Sequence, residues 1–405
     1  MTFYKDVLPV LQKNCQECHR PGEVAPTSFL SYEEVRPQAK AMKEAVLGRR
    51  MPPWFADPAV GRFTNDRSLS RAETEIIANW VDSGTHAGEL KDAPAPRQFA
   101  DGWLAGQPDV VFEMPADYEV PASGMMRYVY GIIPTNFRED RWVQMAEARP
   151  GNRTVVHHIL VYVRDPTSTW LREYPMGRVF MVRDHGKNSP IDEVLTGFVP
   201  GAQPLVLRPG QARLIKAGSD LVFEIHYTAN GKSASDRSRV GIVFAKEPPR
   251  QRVVMLNVAN YKFVIPPGAP AHRVDEAITL YGEAELVSLH AHMHLRGKSM
   301  EIRAVYPSGE VEKLLWVPNY DFNWQLWYHL PPGKALPRGT RIEVIGTFDN
   351  SSRNKNNPDP TVAVRSGEQS WDEMMMGFIE VAIDVGMNPT DLLRSSSSFH
   401  AGGQS

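Results

Sequence analysis

From residue 109 onward the chain repeats one pattern. Short alternating apolar runs recur between Pro, Gly and Asn turns: VVFEMP, RYVYGIIP, TVVHHILVYV, DLVFEIHYTA, RVGIVFA, AITLYGEAELVSLHAHMHL, MEIRAVYP, RIEVIGTFDN and MGFIEVAID. A two-residue period puts successive side chains on opposite faces, so each run predicts a strand with one face in a core. Runs at this spacing predict antiparallel β-sandwiches. About 280 residues of it is long for one sandwich, and KEPPRQRVV (residues 246–254) is the natural break. The reading is therefore two all-β jelly-roll sandwiches, residues 109–250 and 251–390, with a low-complexity tail at 391–405 expected to be disordered.

The first 87 residues differ. Thr2 is expected to cap a first helix with Val7, Leu8 and Leu11 on one face. Ser31 and Ser70 each open an S-x-x-E capping box with Glu34 and Glu73. The last helix turns Ile76, Ile77, Trp80 and Val81 inward and stops at Gly84. Residues 88–108, rich in Pro, Ala and Gly, read as a linker. The fold class expected is multidomain: a small all-α domain (1–87), read as cytochrome c-like from the C-x-x-C-H it carries at Cys15–His19, then the two sandwiches.

That small domain carries C-x-x-C-H at residues 14–19 (NCQECH). Two thiols at this spacing suit thioether bonds to haem vinyl groups, with the following His on the iron. A thioredoxin-like C-x-x-C needs a strand ahead of it and a βαβ setting, and neither is predicted. A structural zinc site needs further ligands, and Cys15 and Cys18 are the only cysteines. Cys15, Cys18 and His19 are thus read as the attachment of one c-type haem. Met51, in GRRMPPWFADP, is read as its sixth ligand, held by a proline-stiffened loop; a crevice plug is the alternative. Covalent haem implies export, so a removed leader and a periplasmic or otherwise exported protein are expected.

Composition excludes several classes. A net charge of −2 without basic blocks gives no reason to expect nucleic acid. No apolar run is long enough to predict a transmembrane helix. Two cysteines cannot build a disulfide framework.

Of twelve histidines, five others stand in strand-like segments: His157, His158, His226, His292 and His294. With His290, the last two form the stretch HAHMH, whose alternate positions share a face, so a pair of them suits one metal. Adjacent His157 and His158 face opposite sides unless the strand twists or ends there.

HH in a strand, HY about 70 residues later, then HxHL before a turn, then D-E-M before a strand, resembles the copper type II ascorbate-dependent monooxygenases. That family includes peptidylglycine α-hydroxylating and dopamine β-monooxygenases. The resemblance spans residues 108–385. It implies two jelly-roll sandwiches facing across a solvent-filled cleft, each with one copper. His157, His158 and His226 would hold the electron-transfer copper. His292, His294 and Met374 (or Met375 or Met376, should the register slip) would hold the copper that activates O2. Two imidazoles and a thioether suit Cu(I), and blue copper is excluded because both cysteines are committed to haem. The implied enzyme is a copper-containing monooxygenase hydroxylating an activated C–H bond of a small-molecule substrate. Electrons would come from an external donor, a periplasmic redox protein or small reductant, through the tethered haem.

The pattern departs from the family in three ways. No disulfides brace the sandwiches. The positions that grip a peptide carboxylate in the amidating branch are His290, Met376 and Phe378 here, so a glycine-extended peptide is not the expected substrate; His290 is a cleft histidine or a substrate contact. The haem domain is an addition. Two alternatives stand beside the monooxygenase: a non-catalytic copper and haem electron-transfer protein, and a haem-linked oxidase whose copper only relays electrons. NSSRNKNNPDP (350–360) reads as a solvated loop, and His185, His272, His329 and His400 are assigned nothing.

Overall fold

The computed structural model describes residues 1–23, 25–99, 102–124, 126–182, 194–199, 204–367 and 369–393. The expected tail falls outside these from residue 394 on, as does His185. Before it, Pro389–Leu392 is a short 3-10 turn with Leu392 fully buried.

Strand dominates, at 36% against 13% helix. Among the described residues the longest helix is Arg71–Asp82, of 12 residues. The expectation of a substantial all-α cytochrome c-like domain is corrected accordingly. Both capping boxes form, at Ser31 with Glu34 and at Ser70 with Glu73. Thr2, however, makes no side-chain cap. Between the helices, Pro21, Gly22, Pro26, Pro52 and Pro53 punctuate the chain, so Leu8–Asn14, Tyr32–Val35 and Ala39–Leu47 stay short. Their apolar faces close over Phe3, Leu11, Phe29, Val35, Ile77 and Trp80.

The architecture is set by one long sheet. Its order is Val110–Glu113, Arg239–Phe244, Arg141–Arg149, Gln211–Ile215, Gln251–Asn260, Met375–Asp384, Ala284–His292, Trp327–His329. The first four strands precede residue 250 and the last four follow it. They join where Gln251 and Arg252 pair in parallel with Gln211 and Ala212. The two halves are therefore continuous in one sheet, where facing, separate sandwiches were expected.

Two smaller sheets complete the layers. Val179–Met181, Val129–Pro134, Asp220–Tyr227, Val156–Arg164 and Val194–Phe198 form a five-stranded sheet. One of its faces places Ile159, Val161, Phe223 and Ile225 against Val143, Ala146, Val240 and Ile242 of the long sheet. Across the second half, His272–Thr279, Arg341–Phe348, Gly297–Val305 and Val311–Val317 lay Met300, Ile302, Ile342 and Val344 against Val258, Leu289, Ile379 and Val381.

The five-stranded sheet is apolar on its other face too. Tyr130, Ile132, Tyr162 and Val222 pack there, with Met255, Trp327 and Phe378 of the second half alongside. Burial on both faces explains why DLVFEIHY reads as nearly continuous apolar sequence rather than strict alternation. This third layer of contact is where the histidines gather.

Gly377 shows how tightly the second core is filled. A Cβ there would stand 2.5 Å from Val344 Cγ2. Gly377→Ala is expected to cost about 1–3 kcal/mol through overpacking. Its urea midpoint should fall with the slope unchanged; an unaltered midpoint would show that the core yields.

Candidate metal centre between the two halves

Strand Val156–Arg164 pairs antiparallel with Asp220–Tyr227, His158 opposite His226. One residue later the register shifts: Tyr227 pairs with Val156, and His157 is left over as a bulge. A bulged residue is freed from strict alternation and the strand twists locally. His157 can therefore join His158 on the side that His226 occupies.

The three rings form a near-regular triangle. Centroids are 5.2 Å apart for His157 and His158, 5.3 Å for His157 and His226, and 5.2 Å for His158 and His226. One nitrogen from each lies within 4.8 Å of the others. His157 Nδ1 and His158 Nδ1 approach to 2.9 Å. His226 Nδ1 is buried without a hydrogen-bond partner. Tyr128 backs the group, its ring 5.0 Å from His226 and 5.6 Å from His158.

Burial makes these imidazoles poor bases. It lowers His157, and it lowers His158 well below the ordinary histidine range, with neighbouring histidines adding to the effect. Burial and then the charge of His157 bring His226 to about 4. All three are neutral near pH 7, the state in which a ring nitrogen offers a lone pair.

His290, His292 and His294 face the same interface. His290 and His292 end strand Ala284–His292; His294 lies in the turn beyond it. His290 Nδ1 donates to Leu326 O at 2.9 Å and its ring stacks on Trp327 at 4.8 Å. His292 Nδ1 donates to Gln325 Oε1 at 2.8 Å. His294 has Asp372 O at 3.4 Å from Nδ1, and its backbone N–H donates to Glu373 at 2.9 Å. Burial holds His290 and His294 at about 3. Met374 and Met376 line the pocket beside them, while Met375 turns into the second core.

These histidines share an apolar pocket with His158, Tyr162, Phe322, Trp327 and Phe378. Phe322 links the groups: its ring lies 6.1 Å from His157 and 5.8 Å from His294. Glu224, also on the pocket wall, accepts from Tyr130 Oη at 2.6 Å and is pushed up to about 7 by burial. His329, to which sequence reasoning assigned nothing, lines the pocket as well. It lies in a three-residue strand, Trp327–His329, too short for its facing to be read from periodicity.

The N-terminal motif is built differently. Cys15 and Cys18 are free thiols, half-buried. Burial pushes Cys15 up to about 12 and raises Cys18. His19 stacks on Phe29 at 4.1 Å, and its Nδ1 donates to Thr27 O at 3.0 Å. Met51 is half-buried beyond helix Ala39–Leu47.

Among the described residues, His157, His158 and His226 are the one grouping of three or more His, Cys, Asp or Glu ligand atoms. That grouping offers one metal position. Two copper ions and a c-type haem on Cys15, Cys18, His19 and Met51 were expected; both expectations are corrected. With them fall the monooxygenase activity, and O2, small-molecule substrate and external electron donor as partners.

Comparison with known proteins agrees in withholding the expected family. No family matches the sequence, and no curated protein matches it. Among solved structures the chain is similar to that of infectious bursal disease virus, Gx strain, at 10% identity over 74% of this chain and 77% of that one, TM-score 0.19. It is similar also to the infectious bursal disease virus VP2 subviral particle, at 10% identity over 73% and 77%, TM-score 0.20. Likeness this slight carries no assignment of fold or function. The resemblance to copper type II monooxygenases is corrected: no family matches the sequence, and the site rests on its own geometry.

Proposed function

We propose that this protein binds a single first-row transition-metal ion through His157, His158 and His226. The observation that carries the reading is the set of three ring nitrogens, one from each histidine, within 4.8 Å of one another. Neutral imidazoles suit zinc, copper, nickel and cobalt; magnesium and calcium prefer oxygen. Three protein ligands leave a coordination position for water or an exogenous ligand.

Protein stripped with chelator and titrated with Co2+ should develop visible absorption that saturates at one ion per chain. Zn2+ should displace it and Mg2+ should not. His226→Ala should weaken binding by at least about a hundredfold, more than the loss of an outer-shell partner costs. His272→Ala, half-buried at the start of strand His272–Thr279 in the second half, should bind as the parent does. Equal binding by parent and His226→Ala would end the proposal.

A further inference from the structure

The segment that follows helix Ala39–Leu47 leaves the N-terminal unit and lies against the second half. Asp57 N donates to Trp316 O at 2.8 Å. Ala56 is buried in the second core, and Trp54 and Phe63 pack on it. Trp54 and Phe63 both meet Tyr328, at 4.9 and 5.3 Å between centroids. Gly61, at φ +73°, lets the backbone pass where a Cβ would stand 2.8 Å from Leu314 O.

The segment ends on the edge of the long sheet. Thr64 N donates to His329 O at 2.8 Å. Asn65 Nδ2 donates to Trp327 O at 2.8 Å, and Asn65 Oδ1 accepts from His329 N at 3.0 Å. The amide thus binds two of the backbone groups that strand Trp327–His329, last in the sheet, turns outward, and Thr64 binds a third. An unpaired edge would leave them to solvent.

That edge orients the histidine wall. His290 pairs across the ladder with Trp327. Its ring is fixed by Leu326 O and Trp327, and the His292 ring by Gln325. Each acceptor is a carbonyl oxygen, so each histidine is held as the Nδ1–H tautomer with Nε2 turned elsewhere. The chain of contacts runs from Asn65 through residues 327 and 329 to residues 325 and 326, and from there to two imidazoles.

We propose that Asn65 is a positioning residue: through its paired hydrogen bonds to Trp327 and His329, the N-terminal unit sets the orientation of His290 and His292 in the pocket between the two halves. The same unit reaches the first half by the Glu23–Arg153 ion pair at 2.6 Å, so it is anchored on both sides of that pocket.

Hydrogen exchange read by mass spectrometry tests this on the full chain. Backbone amides report the edge strand, and the slow exchange of each imidazole C2 proton reports individual histidines. In Asn65→Ala, amide exchange over residues 325–329 should quicken by about tenfold, the scale of one lost buried hydrogen-bonded pair. C2 exchange at His290 and His292 should quicken by a similar factor. His157, His158 and His226 should keep their parental rates. Asn65→Asp retains the acceptor for His329 N–H but not the donor to Trp327 O, and should fall between parent and Asn65→Ala. The proposal is overturned if His290 and His292 keep their parental rates in Asn65→Ala, or if all five histidines quicken equally, which marks general loosening.

Discussion

Glu380→Ala should destabilise the protein by about 3–5 kcal/mol, the cost of leaving a buried charge without its partner. Glu380 stands on strand Met375–Asp384 of the second half and pairs with Arg213, on strand Gln211–Ile215 of the first. The two side chains are 6% and 9% exposed, so water does little to screen them. Arg213 also donates to Val194 O, and Ser288 Oγ donates to Glu380. Arg213 Nε already lacks a partner. Truncating Glu380 would strand the guanidinium beside an apolar pocket, at the point where the two halves share a sheet. The Arg213→Met/Glu380→Met double variant removes both charges at similar volume and should return to within about 1 kcal/mol of the parent. Urea unfolding of the three proteins decides. A loss under about 1 kcal/mol in Glu380→Ala would show that water enters the interface and solvates Arg213.

Much of this framework is legible in local patterns. Each of the alternating runs from VVFEMP to MGFIEVAID contains a strand, because alternation reports a half-buried pleat directly. The boxes at Ser31 and Ser70 form because their donors and acceptors lie three residues apart. What is not local is not legible. The parallel join of residues 251 and 252 to 211 and 212 is a two-residue contact between distant segments, and no periodicity announces it. Nor does the bulge at His157: the pair HH reads as two opposite faces until the ladder opposite it is known. His329 is isolated in sequence, and the Asn65 amide that holds it comes from 264 residues away. The haem expectation had the opposite weakness. C-x-x-C-H spans five residues and does not fix the segments around it, where prolines keep Leu8–Asn14, Tyr32–Val35 and Ala39–Leu47 short and the two thiols are half-buried.

The metal-free protein should be most stable near pH 6.5 and lose stability on both sides, steeply toward acid. Burial holds His226 at about 4, and His290 and His294 at about 3, with His158 well below the ordinary range. Unfolding returns each to about 6.5. As pH falls below 6.5 the unfolded chain takes up protons that the folded chain refuses at these four histidines, and also at His19, His157, His292 and His329, which burial lowers too, so stability drains away. Two carboxyls act in the opposite sense. Burial raises Glu224 to about 7 and Glu373 to about 8, so the folded state holds two protons that the unfolded state releases above about 4.5. Their contribution is complete below that point and is lost as pH rises through 7 and 8. Between pH 4.5 and 6.5 the histidines outweigh the two carboxyls. At about 1.4 kcal/mol per proton per pH unit, the four histidines named above less the two carboxyls already give a slope of about 2–3 kcal/mol per unit. Above 6.5 only the carboxyls still titrate, and the slope reverses. Below 4.5 the paired carboxylates join the loss, Asp165 and Glu73 being held down at about 2. Urea midpoints measured from pH 4.5 to 8.5 should trace this asymmetric bell. Glu373→Gln should flatten its alkaline limb, and His290→Asn its acid one. A midpoint that stays level from pH 6.5 to 5 would mean that the buried imidazoles take up protons within the folded state, and the pocket would have to be far wetter than its lining indicates.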